Sequence, residues 1–516
     1  MDRRGRNLLT KLSSELGFRT LRNSSRDVHL LLLARFLRMA AYGSSTLILA
    51  LFFQVLGHSD TQIGLFMTLT LAGDVLISLG LTFIADALGR RMVLFLGSIL
   101  MTFSGCIFAM FANYTILLLA AIVGVISPSG NEIGPFRAVE ESTLAQLSDA
   151  DTRSDIFAWY VVIGTLGTAT GSFGGGWLVQ FLEGSWRPIT AYKFIFWIYA
   201  VVGLLKASLC VLLSDKCEVQ NAPSATAAPS SSAAGQRRNS NENSEAEEPF
   251  LPQNGSSTAP SSSPAKPTPP PKPSPLSVSR LSPNSRKTLA KLCALFFFDS
   301  LASGMVPYSL IALFMERKFR MPEGKLGTIM ATAQFVSSMG SLLASAVAKR
   351  IGLVRAMVFT HLPSAIFLAL VPLPPQLGWT IFLLVARASL GSMDQAPRSA
   401  FLSAVVLPEE RTVTMGIVNT VKTMSQSSGP LITGSLAASA RFWIAFVVAG
   451  SLKAFYDLGM LTMFVNLKLE GDKGARRAEV DEEEHEQFAL EPLDDDDDEE
   501  GEEEGEEGEG KNEGRK

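Results

Sequence analysis

Stretches of about 20 predominantly apolar residues, the length an α-helix needs to cross roughly 30 Å of hydrocarbon, recur twelve times between residues 29 and 466. No other feature restricts the fold as much. Within a bilayer every backbone N–H and C=O must find its partner inside the protein, so a chain can cross only as helices or as a closed barrel, and runs of this length suit helices. The spans are read at 29–53, 61–85, 92–112, 115–143, 156–182, 193–213, 288–315, 325–348, 354–372, 377–404, 412–437 and 441–466. The expected fold class is an all-α integral membrane protein with twelve transmembrane helices in two sets of six.

What lies between and around the spans divides the chain further. Residues 214–286 are rich in Ser, Pro and Ala and have too little apolar content to form a core, so they read as a disordered linker between a bundle at 29–213 and one at 287–466. The formal net charge of −4 hides an uneven distribution, because residues 471–516 hold 22 acidic and 6 basic side chains and leave about +12 on the rest. Residues 467–516 form an acidic tail expected to be disordered, and residues 1–28 a basic arm with Arg3, Arg4, Arg6, Lys11, Arg19, Arg22 and Arg26. Basic residues before the first span and at Arg90 and Arg91 after the second place both termini in the cytosol. Arg317, Lys318, Arg320 and Lys325 run against that arrangement, since they fall on the far side. Arg237-Arg238-Asn239-Ser240, Ser274-Pro275 and Ser282-Pro283 in the linker suit kinases.

The two sets of six repeat each other. Gly64 and Gly89 recur at one offset as Gly327 and Gly352, Arg153 and Gly171 recur at another as Arg411 and Gly429, and Gly203-Leu-Leu-Lys206 is echoed by Gly450-Ser-Leu-Lys453. Asp86-Ala-Leu-Gly89-Arg90-Arg91 follows the second span, and Gly167-Thr-Ala-Thr-Gly171-Ser-Phe-Gly-Gly175-Gly176 lies in the fifth. With these motifs the chain, over roughly residues 29–466, resembles the major facilitator superfamily. Asp86 to Arg91 is similar to that family's D-x-x-G-R-[RK] signature, and the resemblance implies that Asp86, Gly89, Arg90 and Arg91 form a cytosolic gate. The fifth-span motif is similar to the family's antiporter motif with Ser172 in place of Pro, and Gly429-Pro430 occupies the matching place in span eleven. Small residues at this spacing read first as helix packing, so Gly167, Gly171, Gly175, Gly176, Gly429 and Pro430 are assigned to close helix contacts.

Polar chemistry at bilayer depth is concentrated in a few places. Ser127 to Glu141 reads SPSGNEIGPFRAVEE inside the fourth span, and Asp394-Gln-Ala-Pro397-Arg398 in the tenth repeats its order of acid, two residues, Pro and then Arg. Charges here are costly unless they face protein or a watery cavity, and Pro and Gly should break the helices where backbone lines that cavity. The resemblance implies that helices 1, 4, 7 and 10 line the central cavity. On those helices stand Arg35, Arg38 and Tyr42, which share one face by their spacing, then Glu132 and Arg137, Asp299, and Arg387, Asp394 and Arg398. These form the expected solute and proton pathway, with Arg38–Glu132 and Arg398–Asp394 as expected ion pairs. Lys206 and Lys453 lie on helices that the resemblance puts away from the cavity, and Lys453 is expected to pair with Asp457.

The sequence has no nucleotide-binding loop, no H-E-x-x-H pair, no G-x-S-x-G elbow and no cluster among its four His. The four Cys show no ligand spacing. Neither an enzyme nor a cofactor nor a metal site is expected. The leading reading is a secondary active transporter of a small solute, coupled to protons and working by alternating access. Its partners are that solute, protons, lipid and linker kinases, with no nucleic acid. The competing reading is a non-transporting membrane sensor or scaffold that recruits partners through its linker and tail.

Overall fold

The computed structural model describes residues 18–124, 126, 135–149, 152–218, 283–406 and 410–465, all within one compact unit. A short helix α1 (Phe18–Asn23) leads into α2 (Arg26–Val55), α3 (Asp60–Leu88), α4 (Arg90–Met110), α5 (Tyr114–Gly124), α6 (Pro135–Leu147), α7 (Arg153–Glu183) and α8 (Pro188–Val211). After these come α9 (Pro283–Met305), α10 (Tyr308–Phe319), α11 (Glu323–Ile351), α12 (Leu353–Leu370), α13 (Leu377–Ser392), α14 (Gln395–Val405), α15 (Arg411–Ala438) and α16 (Phe442–Phe464). These make twelve spans, because the fourth, seventh and tenth are each built from two helices: α5 with α6, α9 with α10, and α13 with α14. Seven of the helices are long and apolar enough to cross a membrane by themselves.

The broken spans have local causes. Pro307 stands as the N-cap of α10, Pro397 lies in the first turn of α14, and Pro135 opens α6, positions where a missing N–H costs nothing because no helical partner exists for it. The sequence reading expected breaks in the fourth and tenth spans and took the seventh as continuous. Pro307 interrupts the seventh and Pro397 the tenth, since each removes a backbone donor and bars the preceding turn from continuing. Gly89 and Gly352, related by the repeat, both end a helix at φ of +84° and +85°, a backbone region that side chains with a Cβ avoid. The Ser/Pro-rich linker lies almost wholly outside the described residues, but its first residues do not: Asp215–Cys217 form a 3₁₀ turn packed beneath the first six spans.

An even number of spans brings the chain back to the face from which it entered, here termed proximal; the other face is distal. The two halves meet towards the distal face. A Cβ added to Gly64 would lie 3.0 Å from Gly434 Cα, and one added to Gly176 would lie 3.0 Å from Gly327 Cα, so α3 crosses α15 and α7 crosses α11 at glycine pairs that the repeat relates. One apolar core runs through this region and takes side chains from both halves, among them Phe52, Phe66 and Phe196 with Leu310, Phe314 and Phe446. Polar contacts join them as well: the Arg317 guanidinium donates to Asp60 at 2.5 and 2.8 Å, Tyr192 to Glu323 at 3.0 Å, Trp177 Nε1 to Thr328 at 3.0 Å, and Leu431 N to Thr68 Oγ1 at 3.1 Å.

Within the first half, α7 lies directly on α2. An added Cβ at Gly167 would come within 2.7 Å of the Phe36 carbonyl oxygen, one at Gly175 within 2.6 Å of Ser44 Cβ, and one at Gly171 would overlap the Ala40 carbonyl. Gly429 meets Gly304 on α9 in the same way. Gly174, on α7 with Gly171, has nothing within 4 Å of its added Cβ. Gly171→Leu is therefore expected to lower the yield of monodisperse folded protein sharply, overpacking of this kind costing about 1–3 kcal/mol or more. Gly174→Leu, an identical change three residues on, should be tolerated. Equal yields of the two variants on size-exclusion chromatography would show that the close approach carries no such cost.

Candidate functional site

A polar cavity of about 470 Å³ opens among the helices of the second half. It reaches from Tyr308 on the distal side to Ser399 and Gln395 at the start of α14, with Arg137 as its contribution from the first half. Each broken span supplies a helix end to it, as expected where backbone freed by Pro has to meet water instead of lipid. Tyr308 forms the floor. Its hydroxyl donates to Ser172 Oγ at 2.9 Å, and Ser172 donates in turn to the Gly43 carbonyl at 3.2 Å, which ties the floor to the first half.

A chain of ion pairs crosses the cavity wall. Asp299 on α9, 3% exposed, accepts 2.7 Å hydrogen bonds from Arg398 Nη1 and Lys453 Nζ, and Lys453 also donates to Ser303 Oγ at 2.8 Å. Arg398 further donates to Asp394, one turn back on the chain, so the Arg398–Asp394 pair is present as expected. His361 on α12 reaches both ends of the network, with Nδ1 2.9 Å from Asp457 and Nε2 3.9 Å from Asp299. The expected Lys453–Asp457 pair is replaced: α16 turns Lys453 towards α9, and Asp457 is taken by His361. The sequence reading missed Lys453, His361 and Lys422 as cavity residues. A titratable side chain inside a membrane span was the available signal for each.

The first half holds a separate and fully enclosed cluster. Glu140 on α6 is 1% exposed; its Oε2 accepts from Arg38 Nη2 at 2.5 Å and from the Tyr160 hydroxyl at 2.9 Å, with Lys206 Nζ 3.7 Å from its other oxygen. Arg35 donates to the Tyr160 carbonyl and hydroxyl at 2.9 and 2.6 Å and lies 3.6 Å over the Tyr160 ring. Tyr42 stacks on Tyr199 with centroids 6.1 Å apart. Arg35, Arg38 and Tyr42 were expected on the cavity and are not among its lining. The shared face is real, but it is turned onto α6, α7 and α8. Glu132, the expected partner of Arg38, lies outside the described residues; among the described residues Arg38 engages Glu140. Arg137 lines the cavity as expected and donates to Glu141 at 2.7 Å.

On the proximal face, Gly89, Arg90 and Arg91 are held within their own half. The Glu218 carboxylate accepts from the backbone N–H groups of Arg90 and Arg91 at 2.8 and 3.1 Å, an anion at the open N-terminus of α4. Arg90 Nη1 donates to Gln146 at 2.6 Å, and Arg91 pairs with Asp215. The Asp86 side chain lies outside what is described.

A family model described as Major Facilitator Superfamily matches residues 31–269 and 292–492. An uncharacterized membrane protein of Saccharomyces cerevisiae is 34% identical over 458 residues, covering 88% of this chain and 97% of that protein. Among solved structures, a mutant of the nucleoside transporter NupG superposes with a TM-score of 0.60 at 13% identity, over 85% of this chain and 99% of that one. The xylose transporter XylE from E. coli, in its inward open conformation, gives 0.58 at 12% identity, over 86% and 98%. At such identities the two structures share the fold.

Proposed function

The chain belongs to the major facilitator superfamily and is a multi-pass membrane transporter, and on that premise we propose that it is a secondary active carrier of a small solute, coupled to protons and working by alternating access. The observation that carries this reading is the cavity. It is polar, about 470 Å³ in volume, edged by the broken spans and floored by the contact that joins the halves on the distal side. A volume of that size suits a small ligand. Rocking of the halves about the glycine crossings would open the distal face and close the proximal one. With the termini in the cytosol, the state described here faces inward. Arg90 and Arg91, engaged within their own half in this state, would then act with Asp86 and Gly89 as the gate on the cytosolic side.

Proton coupling is assigned to carboxylates that share their cations. Asp394 and Asp299 both hold Arg398, so a proton on Asp394 would hand Arg398 to Asp299 alone and rearrange the cavity wall. Glu132 is proposed as the counterpart in the first half, from the repeat in the sequence. In sealed vesicles holding the purified protein, Asp394→Asn and Glu132→Gln are expected to abolish accumulation driven by an imposed proton gradient while exchange of solute persists. If both variants keep the wild-type pH dependence of uptake, the coupling assignment fails. If wild-type vesicles move no solute from a broad panel, the transport cycle proposed here fails with it.

A further inference from the structure

The charges around the cavity do not balance. Its described lining carries five cationic side chains, Arg137, Arg387, Arg398, Lys422 and Lys453, against two carboxylates, Asp299 and Asp394. Both carboxylates are already committed, Asp299 to Arg398 and Lys453 and Asp394 to Arg398. Arg137 has Glu141. Arg387 on α13 and Lys422 on α15 remain, and among the described residues neither has an ion-pair partner. Lys422 Nζ sits 5.4 Å from the centre of the Phe296 ring, a contact that attracts a cation but does not neutralise it. Among the described residues no hydrogen bond is made by the Arg387 guanidinium; its backbone carbonyl accepts from Ser364 Oγ at 2.9 Å, and its side chain lines the cavity.

Two uncompensated cations beside a cavity in a membrane interior are expensive to maintain unless an anion visits them. Neutralising both takes two negative charges, because a single one, even shared as Asp299 is shared by Arg398 and Lys453, would leave a net positive charge. We infer that the carried solute is a small organic anion with at least two negative charges, supplied by carboxylate or phosphate groups, held between Arg387 and Lys422. This rests on the transport reading above and narrows it. A neutral solute would gain little from these groups, and a cation would be repelled by them. A planar guanidinium that donates to two oxygens side by side, together with a point-like ammonium on the same cavity, suits an ion with more than one anionic group.

The test uses the full-length protein in detergent for binding and in sealed vesicles for flux. Succinate, citrate, glycerol 3-phosphate and inorganic phosphate are compared with glucose, uridine and arginine. At least one multivalent anion should raise the melting temperature saturably, as a ligand of the folded state does, and should be accumulated by vesicles. The carboxylate and phosphate arms tell which group the site takes. Arg387→Gln and Lys422→Gln should each weaken that binding about tenfold or more, the expected loss for a charged hydrogen bond. Arg387→Lys and Lys422→Arg should recover much of it, which separates recognition from misfolding. Arg441→Gln, the same charge change at an exposed position on the distal face, should leave binding unchanged. Binding of glucose, uridine or arginine with none of the anions overturns the inference and leaves the transport reading standing. Anion binding that survives both glutamine variants also overturns it. Failure of every solute to cross in vesicles overturns the inference together with the reading on which it rests.

Discussion

Glu140→Gln is expected to cost about 3–5 kcal/mol, the range for breaking a buried ion pair from one side, and so to leave little monodisperse protein after extraction. Glu140 is 1% exposed and faces Arg38 at 2.5 Å, Lys206 at 3.7 Å and Arg35 at 3.9 Å. Gln preserves the volume and one acceptor for Arg38 and the Tyr160 hydroxyl. What is lost is the negative charge that three cations face in a buried space. The cost should be charge-specific. In the Glu140→Gln background Lys206→Met removes one of the cations that faced the carboxylate and keeps an unbranched chain, so it should restore part of the melting temperature. On its own, Lys206→Met leaves Glu140 with two guanidinium partners and should be mild. A melting temperature unchanged by Glu140→Gln would mean that Arg35, Arg38 and Tyr160 are held by packing and not by this carboxylate.

The fold was legible because its constraints are ones of length and repetition. Twelve apolar runs and glycines recurring at common offsets follow from the bilayer and from duplication, and neither depends on where a side chain points. The site was legible only in part. Asp299, Arg387, Asp394, Arg398 and Arg137 do meet at one cavity, because the fourth, seventh and tenth spans that carry them all break beside it. Arg35, Arg38 and Tyr42 were correctly grouped on one face and wrongly aimed. Spacing along a helix gives relative azimuth, but not the direction in which the whole face is turned. Lys206 and Lys453 were treated as peripheral because their helices are. Each ammonium is carried inward on a long stem to a carboxylate of a neighbouring helix, Glu140 for one and Asp299 for the other. Their matching places in the repeat were a signal that both do the same task.

Asp299→Asn is expected to abolish transport and to lower stability more than Asp394→Asn does. The difference follows from how the cations are shared. Asp299 holds Lys453 and Arg398, both at 2.7 Å, with His361 Nε2 at 3.9 Å, whereas Asp394 holds Arg398, which keeps Asp299 when Asp394 is neutralised. Removing the charge of Asp299 leaves Lys453 with the Ser303 hydroxyl and no anion. Lys453→Met in the Asp299→Asn background should therefore recover much of the lost melting temperature, because Arg398 still has Asp394. The two changes share one contact, so a double-mutant cycle should show a coupling of about 0.5–3 kcal/mol. Strictly additive effects would mean that the pair contributes nothing beyond its separate parts. Transport should stay lost in the stabilised double variant, which divides the two roles of this carboxylate: its partner's charge can be removed to restore the fold, but the cavity wall then lacks the group that Arg398 must exchange for a proton-bearing Asp394. Uptake at the wild-type rate by Asp299→Asn, at equal protein level, would take Asp299 out of the pathway and leave it as a structural partner of Lys453.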